Sequence, residues 1–254
     1  MARSSAIRLA AGAAALVALL PTARAAEVSS RWVITDLGTL GPAYRDSSAS
    51  AINERGQIVG TSGTAGGKQR AFLWQDGAIT DLGTLGGRDS SATAIDERGW
   101  IVGTSLTAKP ARLHGFLWHD GRMIDLGTLG GRSSRPRAIN ARGQIVGESL
   151  TARGQVHAFL WQHGEMTDLG TLGGASSGAL AINDRGQVVG VSVPRGGSSV
   201  HAFVWQSGRT IDLGTLGGQE SDAAAINEHD RIVGVSNTAN GHRHAVLWTL
   251  RRGG

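Results

Sequence analysis

The sequence predicts an all-β chain built as a five-bladed β-propeller, and three observations carry that expectation. The hexapeptide Asp-Leu-Gly-Thr-Leu-Gly begins at Asp36, Asp81, Asp125, Asp168 and Asp212, a period of 45, 44, 43 and 44 residues. Repetition at that length marks propellers, solenoids and arrays. Each period contains four short stretches of strand character separated by turn residues. A spare strand, Trp32 to Leu37, precedes the first copy, while the fifth copy has no fourth strand behind Trp248. These complementary halves predict a ring closed by the N-terminal strand, which would remove two free edges. An open β-solenoid is the alternative, and it would call for capping at each end.

Taken in order, residues 1–25 read as a secretory signal peptide. Arg3 and Arg8 precede an apolar run from Leu9 to Leu20, and Ala23-Arg24-Ala25 offers a small-residue site with cleavage after Ala25. The run is shorter than the roughly 20 residues a spanning helix needs, so no membrane span is expected. The expected location is secreted or periplasmic, with residues 26–254 forming one repeat domain. The chain has no cysteine, which excludes disulfides, thiolate metal sites and cysteine nucleophiles.

Within each period we label the strands a to d. Strand a ends in Ala-Ile-Asn or Ala-Ile-Asp, at Ala51, Ala94, Ala138, Ala181 and Ala225. Its small residues suit the crowded inner strand of a radial array. Strand b is of the type Gln-Ile-Val-Gly-x-Ser, strand c ends at Trp74, Trp118, Trp161, Trp205 and Trp248, and strand d leads into Asp-Leu-Gly. The a–b link, Asn140-Ala141-Arg142-Gly143 in the third copy, suits a type I turn with glycine in the left-handed position. In the fifth copy Asp230 takes that place. The c–d link, Trp161-Gln162-His163-Gly164, is expected to repeat the device. That places Leu160 opposite Met166 and Phe159 opposite Thr167, with Phe159 and Trp161 on one face and Leu160 and Met166 on the other. The tryptophans are expected to be the main packing residues.

Strand c opens with His157-Ala158-Phe159 and His201-Ala202-Phe203, varied as Arg70-Ala71-Phe72, His114-Gly115-Phe116 and His244-Ala245-Val246. Together with Asp-Leu-Gly-Thr-Leu-Gly-Gly and Ala-Ile-Asn-x-x-Gly-Gln-Ile-Val-Gly, these motifs resemble the HAF family of probable extracellular bacterial repeats over residues 32–248. The resemblance implies export and a repeat architecture, and it brings no established reaction, cofactor or catalytic residue.

The formal charge is +5, falling to +2 once Arg3, Arg8 and Arg24 leave with the signal peptide. A nearly balanced chain lacks the clustered basic footprint of a nucleic-acid binder. The histidines that open strand c are spaced too far apart around a ring for metal ligation, so a hydrogen-bonding role is expected and no metal or cofactor. The repeated aspartates are expected to accept backbone N–H groups in the turn into the next blade.

Differences between copies carry the functional expectation. The b–c loops contain no acid, yet each carries a base: Lys68 and Arg70, Lys109 and Arg112, Arg153, Arg195, Arg243. Sharing a face with the d–a crossovers, they predict a basic rim for an anionic glycan, a cell-envelope polyanion or another protein. The chain is therefore expected to be a non-catalytic binding or scaffold module. The alternative is a glycoside hydrolase with carboxylates from Asp46, Asp89, Glu220 and Asp222 at the central opening, where a pair about 5–10 Å apart would be required.

Overall fold

The computed structural model describes residues 32–41 and 46–250. The signal-peptide reading of residues 1–25 lies outside them. The chain divides into two compact units, residues 1–36 and 37–254. In the first, residues 32–36 form no regular strand, and Trp32, Val33 and Ile34 are exposed.

The second unit is five antiparallel sheets, each one sequence repeat. The first sheet is β1 (Ser47–Ile52), β2 (Ile58–Gly63), β3 (Gln69–Gln75) and β4 (Ala78–Asp81). The second is β5 (Gly86–Ile95), β6 (Ile101–Thr107), β7 (Leu113–His119) and β8 (Arg122–Asp125). The third is β9 (Gly130–Ile139), β10 (Ile145–Thr151), β11 (Val156–Gln162) and β12 (Glu165–Asp168). The fourth is β13 (Gly173–Ile182), β14 (Val188–Pro194), β15 (His201–Gln206) and β16 (Arg209–Asp212). The fifth is β17 (Gly217–Ile226), β18 (Arg231–Thr238) and β19 (Arg243–Thr249). Strands pair in chain order within every sheet. The fifth sheet has three strands, so the closing fourth strand expected from the sequence is not formed among the described residues.

Sheets pack in succession, the first strand of each lying against the second and third strands of the sheet before it. Their inner strands converge: one opening is lined by Ile95, Ile139, Ile182 and Ile226, from four consecutive sheets. Sheets stacked in a straight line about 10 Å apart could not share one opening, so the array is radial. The cores between sheets are apolar, one for instance holding Val102, Leu117, Leu126, Ile145, Phe159 and Trp161.

The a–b turns are as expected. Asn53 N–H bonds Gln57 O at 3.1 Å and Gly56 N–H bonds Asn53 O at 2.9 Å, with Gly56 at φ 72°. Asp230 holds the same conformation at φ 57°. The c–d turns differ from expectation. His163 and Gly164 both have positive φ, as do Asp76-Gly77, Asp120-Gly121 and Ser207-Gly208. Two successive positive φ values make a type I′ turn, whose twist matches the flanking strands. The turn is one residue tighter, so the register shifts: Trp161 pairs with Met166, Leu160 with Thr167 and Phe159 with Asp168. A one-residue slip moves side chains to the opposite face. Met166 therefore packs with Phe159 and Trp161 rather than opposite them. The largest fully buried side chains are Phe72, Phe116, Phe159 and Phe203. Trp161 is buried, but the other strand-c tryptophans are half-buried, so phenylalanine takes the central packing role given above to tryptophan.

Serines and asparagines join one sheet to the next. Ser177 Oγ accepts the N–H of Ala158 in the preceding sheet at 2.9 Å and donates to Gly170 O at 2.5 Å. Ser90, Ser134 and Ser221 make the equivalent bonds to Ala71, Gly115 and Ala202. Substituting Ser177→Ala leaves a buried N–H without its acceptor, a loss of about 1–3 kcal/mol. Thermal unfolding should show the melting temperature falling by several degrees, at about 2–4 °C per kcal/mol for a chain of this size.

At the a–b turns, Asn53 Nδ2 donates to Asp96 O of the next sheet at 3.0 Å, Asn140 to Asn183 O at 2.9 Å and Asn183 to Asn227 O at 3.1 Å. Asp96 has no such donor. Its carboxylate binds Arg98 at 2.7 Å, and the Arg98 guanidinium lies 4.0 Å over the Trp100 ring, which stacks on His119 at 4.8 Å. Trp100 and His119 replace a glutamine pair that is hydrogen-bonded elsewhere, as in Gln144 and Gln162 at 2.8 Å.

Candidate functional site

The b–c loops and the crossovers that precede strand a share one face, because they are tied together. Ala108 N–H bonds Leu85 O at 3.2 Å, Ala152 bonds Leu129 O at 3.1 Å and Arg195 bonds Leu172 O at 3.1 Å. Threonines close several of the loops. Thr107 N–H bonds Arg112 O at 2.9 Å, while its hydroxyl accepts Arg112 N–H at 3.1 Å. Thr151 and Thr238 do the same with Gln155 and His242. The face is therefore a set of short, internally bonded loops on a rigid base.

Lys68, Lys109, Arg112, Arg153, Arg195 and Arg243 are exposed on it, and among the described residues no side-chain hydrogen bond or ion pair engages them. Arg70 departs from the expected rim. Its side chain is only 15% exposed, with Nε 3.6 Å from Asp81, and its Nη1 bonds Arg88 O. It stands where the other sheets have histidine: His114, His157 and His201 bind Asp125, Asp168 and Asp212 through Nδ1 at 2.7–2.9 Å. The strand-d aspartates also accept backbone N–H groups, Gly83 to Asp81 at 2.8 Å and Gly127 to Asp125 at 2.8 Å. The hydrogen-bonding reading of both sets agrees with this geometry, and it is what removes Arg70 from the rim. Among the described residues, no group of three or more histidines and acids is arranged to hold a metal ion.

Two further bases on this face come from the starts of strand a in the second and third sheets, β5 and β9, which the loop-based reading passed over. Arg88 is engaged, with Nη2 on Gly67 O at 2.7 Å and Nε 3.7 Å from Asp89. Arg132 is exposed and has no such partner. A cleft of about 440 Å³ is lined by Lys109, Arg112, His114 and Asp125. A neighbouring cleft of about 280 Å³ is lined by Arg112, Gly130, Gly131, Arg132 and Gly154.

The carboxylates considered for hydrolysis do not line the opening at the a–b turns. Asp89 accepts Gln69 N–H at 3.0 Å, and one oxygen of Asp222 is buried without a partner. The opening shared by the inner strands is lined instead by Asp96, Glu97, Asp184 and Glu228. These acids lie on the a–b turns, and three of them hold neighbouring turns together: Glu97 accepts Glu54 N–H at 3.1 Å, Asp184 accepts Ala141 N–H at 2.8 Å and Glu228 accepts Asp184 N–H at 2.8 Å. The recurrence of an acid directly after Asn or Asp in four of five copies was the available sequence signal.

A third cavity, about 300 Å³ and largely apolar, opens beside the three-stranded sheet. Val204, Ile211, Leu213, Ile232, Trp248 and Leu250 line it. In the second and third sheets the corresponding inter-sheet cores receive Met123 and Met166 from the fourth strand. Among the described residues no helix is long and apolar enough to cross a membrane.

No family model matches the chain, and no curated protein is similar to it. Solved structures are similar in backbone. The β-propeller domain of the Trilobed protease from Pyrococcus furiosus aligns with a TM-score of 0.54 at 15% identity, covering 81% of this chain and 67% of that one. A puromycin-hydrolyzing peptidase from Mycobacterium tuberculosis aligns with a TM-score of 0.54 at 13% identity, covering 86% of this chain and 39% of that one. TolB from Acinetobacter baumannii aligns with a TM-score of 0.48 at 13% identity, covering 79% of this chain and 53% of that one. The chain thus spans about half or less of the length of the last two. The two alignments at a TM-score of 0.54 show a likeness of fold, and with the five antiparallel sheets they make this an all-β chain of β-propeller type.

Proposed function

We propose that the protein is an exported, non-catalytic binding module of HAF-type repeats that captures an anionic glycan or envelope polyanion on its b–c loop face. The observation that carries this reading is the set of six exposed bases, Lys68, Lys109, Arg112, Arg153, Arg195 and Arg243, on short bonded loops that contain no acid. Like-signed charge on one face raises the local concentration of an opposite polymer and steers its approach. The acids at the opening act as acceptors for backbone N–H groups, which favours a binder over a hydrolase. Replacing Lys109, Arg112, Arg153 and Arg195 with serine should weaken retention on an anionic glycan matrix. The difference should shrink as salt rises, because exposed charges are screened within about 8 Å at physiological ionic strength. Equal retention of variant and parent would end this reading.

The same proposal includes five blades and closure by the N-terminal strand. Val33-Ile34-Thr35-Asp36-Leu37-Gly38 has the pattern of Arg122-Met123-Ile124-Asp125-Leu126-Gly127, a fourth strand with its crossover. The crossover that follows it is already seated on the first sheet, where Leu40 N–H bonds Ser62 Oγ at 2.9 Å and Ser47 Oγ bonds Gly38 O at 2.8 Å. Ile52 on the first sheet and Val233 and Leu247 on the fifth are 65%, 47% and 57% exposed. Their counterparts Ile95, Val59 and Leu73 pack in an inter-sheet core.

A further inference from the structure

We infer that the ligand's negative groups are received at one place on this face, two adjoining clefts, one on the second sheet and one where it meets the third, with Arg112 the wall common to both. This rests on the proposed binding function and narrows it to a site. Lys109 and Arg112 line the larger cleft, and Arg112 and Arg132 line the smaller. Among the described residues none of the three side chains has a hydrogen-bond or ion-pair partner, whereas Arg88, the equivalent of Arg132 one sheet earlier, is held by Gly67 O and Asp89. The next two sheets carry Ala175 and Gln219 at that position. Among the described residues, this is therefore the junction at which a b–c loop and the start of strand a both contribute an uncommitted guanidinium.

The remaining walls suit an anion. Asp125, the acid in the larger cleft, is occupied by His114 Nδ1 and Gly127 N–H. The smaller cleft is otherwise lined by Gly130, Gly131, Leu150, Thr151, Ala152 and Gly154, with no acid among them. The Thr107 bonds to Arg112 and Pro110 fix the loop that carries Lys109 and Arg112, so little ordering of the chain accompanies binding. A planar guanidinium pairs two oxygens of a carboxylate, sulfate or phosphate at once. Two adjoining clefts with a common arginine match a polymer that repeats its charge on successive units. The ligand class is thus a glycan bearing carboxylate or sulfate groups on neighbouring sugars.

The test uses the full chain without its signal peptide, titrated with an oligogalacturonate and with a heparin-derived sulfated oligosaccharide at low and physiological salt. Inorganic phosphate serves as competitor. Arg112→Ser with Arg132→Ser should raise the dissociation constant at least about tenfold, while Lys68→Ser with Arg243→Ser, equal in charge removed from the same face, should raise it by a clearly smaller factor, about threefold. The better of the two oligosaccharides identifies the anion, and displacement of both by millimolar phosphate would assign the site to a phosphate group and overturn the glycan class. Equal losses in the two double variants would mean a diffuse rim: the site falls and the binding function stands. Failure of the parent protein to bind either oligosaccharide overturns both.

Discussion

Gly147→Ala should unfold the third sheet's inner pairing and destabilise the protein by about 3 kcal/mol, the upper end of what overpacking costs. A methyl at this position would lie 2.0 Å from Arg135 O and 2.8 Å from Pro136 Cα. Both are backbone atoms and cannot rotate away. The same contact recurs at Gly60, Gly103, Gly190 and Gly234, each 1.9–2.1 Å from a strand-a carbonyl oxygen. Its cause is a β-bulge: the register shifts between Ala92 and Ala94 and at the equivalent residues of every other sheet. A bulge bends its strand and brings the backbone close to its partner, so strand b must be bare there. Chemical unfolding should locate the loss in the midpoint. Gly66→Ala, where a methyl would meet nothing within 4 Å, should leave the midpoint unchanged.

Removal of residues 26–36 should lower the melting temperature by about 10 °C or more. In a closed ring it would strip the fifth sheet of a strand and leave the apolar cavity at Trp248 and Ile232 empty. Burial of one large aliphatic side chain is worth about 1.5–3 kcal/mol, and each kcal/mol corresponds to about 2–4 °C at this size. An unchanged melt would support an open array. The register of the fourth sheet, Val204 opposite Ile211, translates to Leu247 opposite Thr35. Because the native chain has no cysteine, Thr35→Cys with Leu247→Cys introduces the sole pair of thiols. Oxidation should give a monomer of altered mobility on a non-reducing gel. A ladder of covalent oligomers would mean that the strand serves a second copy.

Much of the fold is legible in the sequence because repetition shows each residue in its column five times over. The a–b turn, its tolerance of Asp230 and the shared face of loops and crossovers all follow from the columns. The c–d register does not, although Asp76-Gly77 and Asp120-Gly121 are the dipeptides a type I′ turn favours. Reading that turn one residue long put Met166 on the wrong face. The site is less legible, since its geometry depends on which columns of neighbouring repeats meet. Arg70 counts as a rim base until Asp81 is seen opposite. Arg132 opens strand a of the third sheet yet shares a cleft with Arg112 of the preceding loop. The acids after each Asn serve an adjacent turn rather than the ligand.

The asparagine and carboxylate bonds between turns have one further consequence. Asn53 to Asp96, Asn140 to Asn183 and Asp184 to Glu228 each span a single period, 43 or 44 residues, and all run between consecutive units. A gene that gained or lost one unit carrying the asparagine would recreate the same kind of junction with its neighbours, with no compensating substitution required elsewhere. Copy number is thus the property of this architecture that evolution can alter with least disruption, and the curvature set at the inner strands decides which copy numbers can meet end to end.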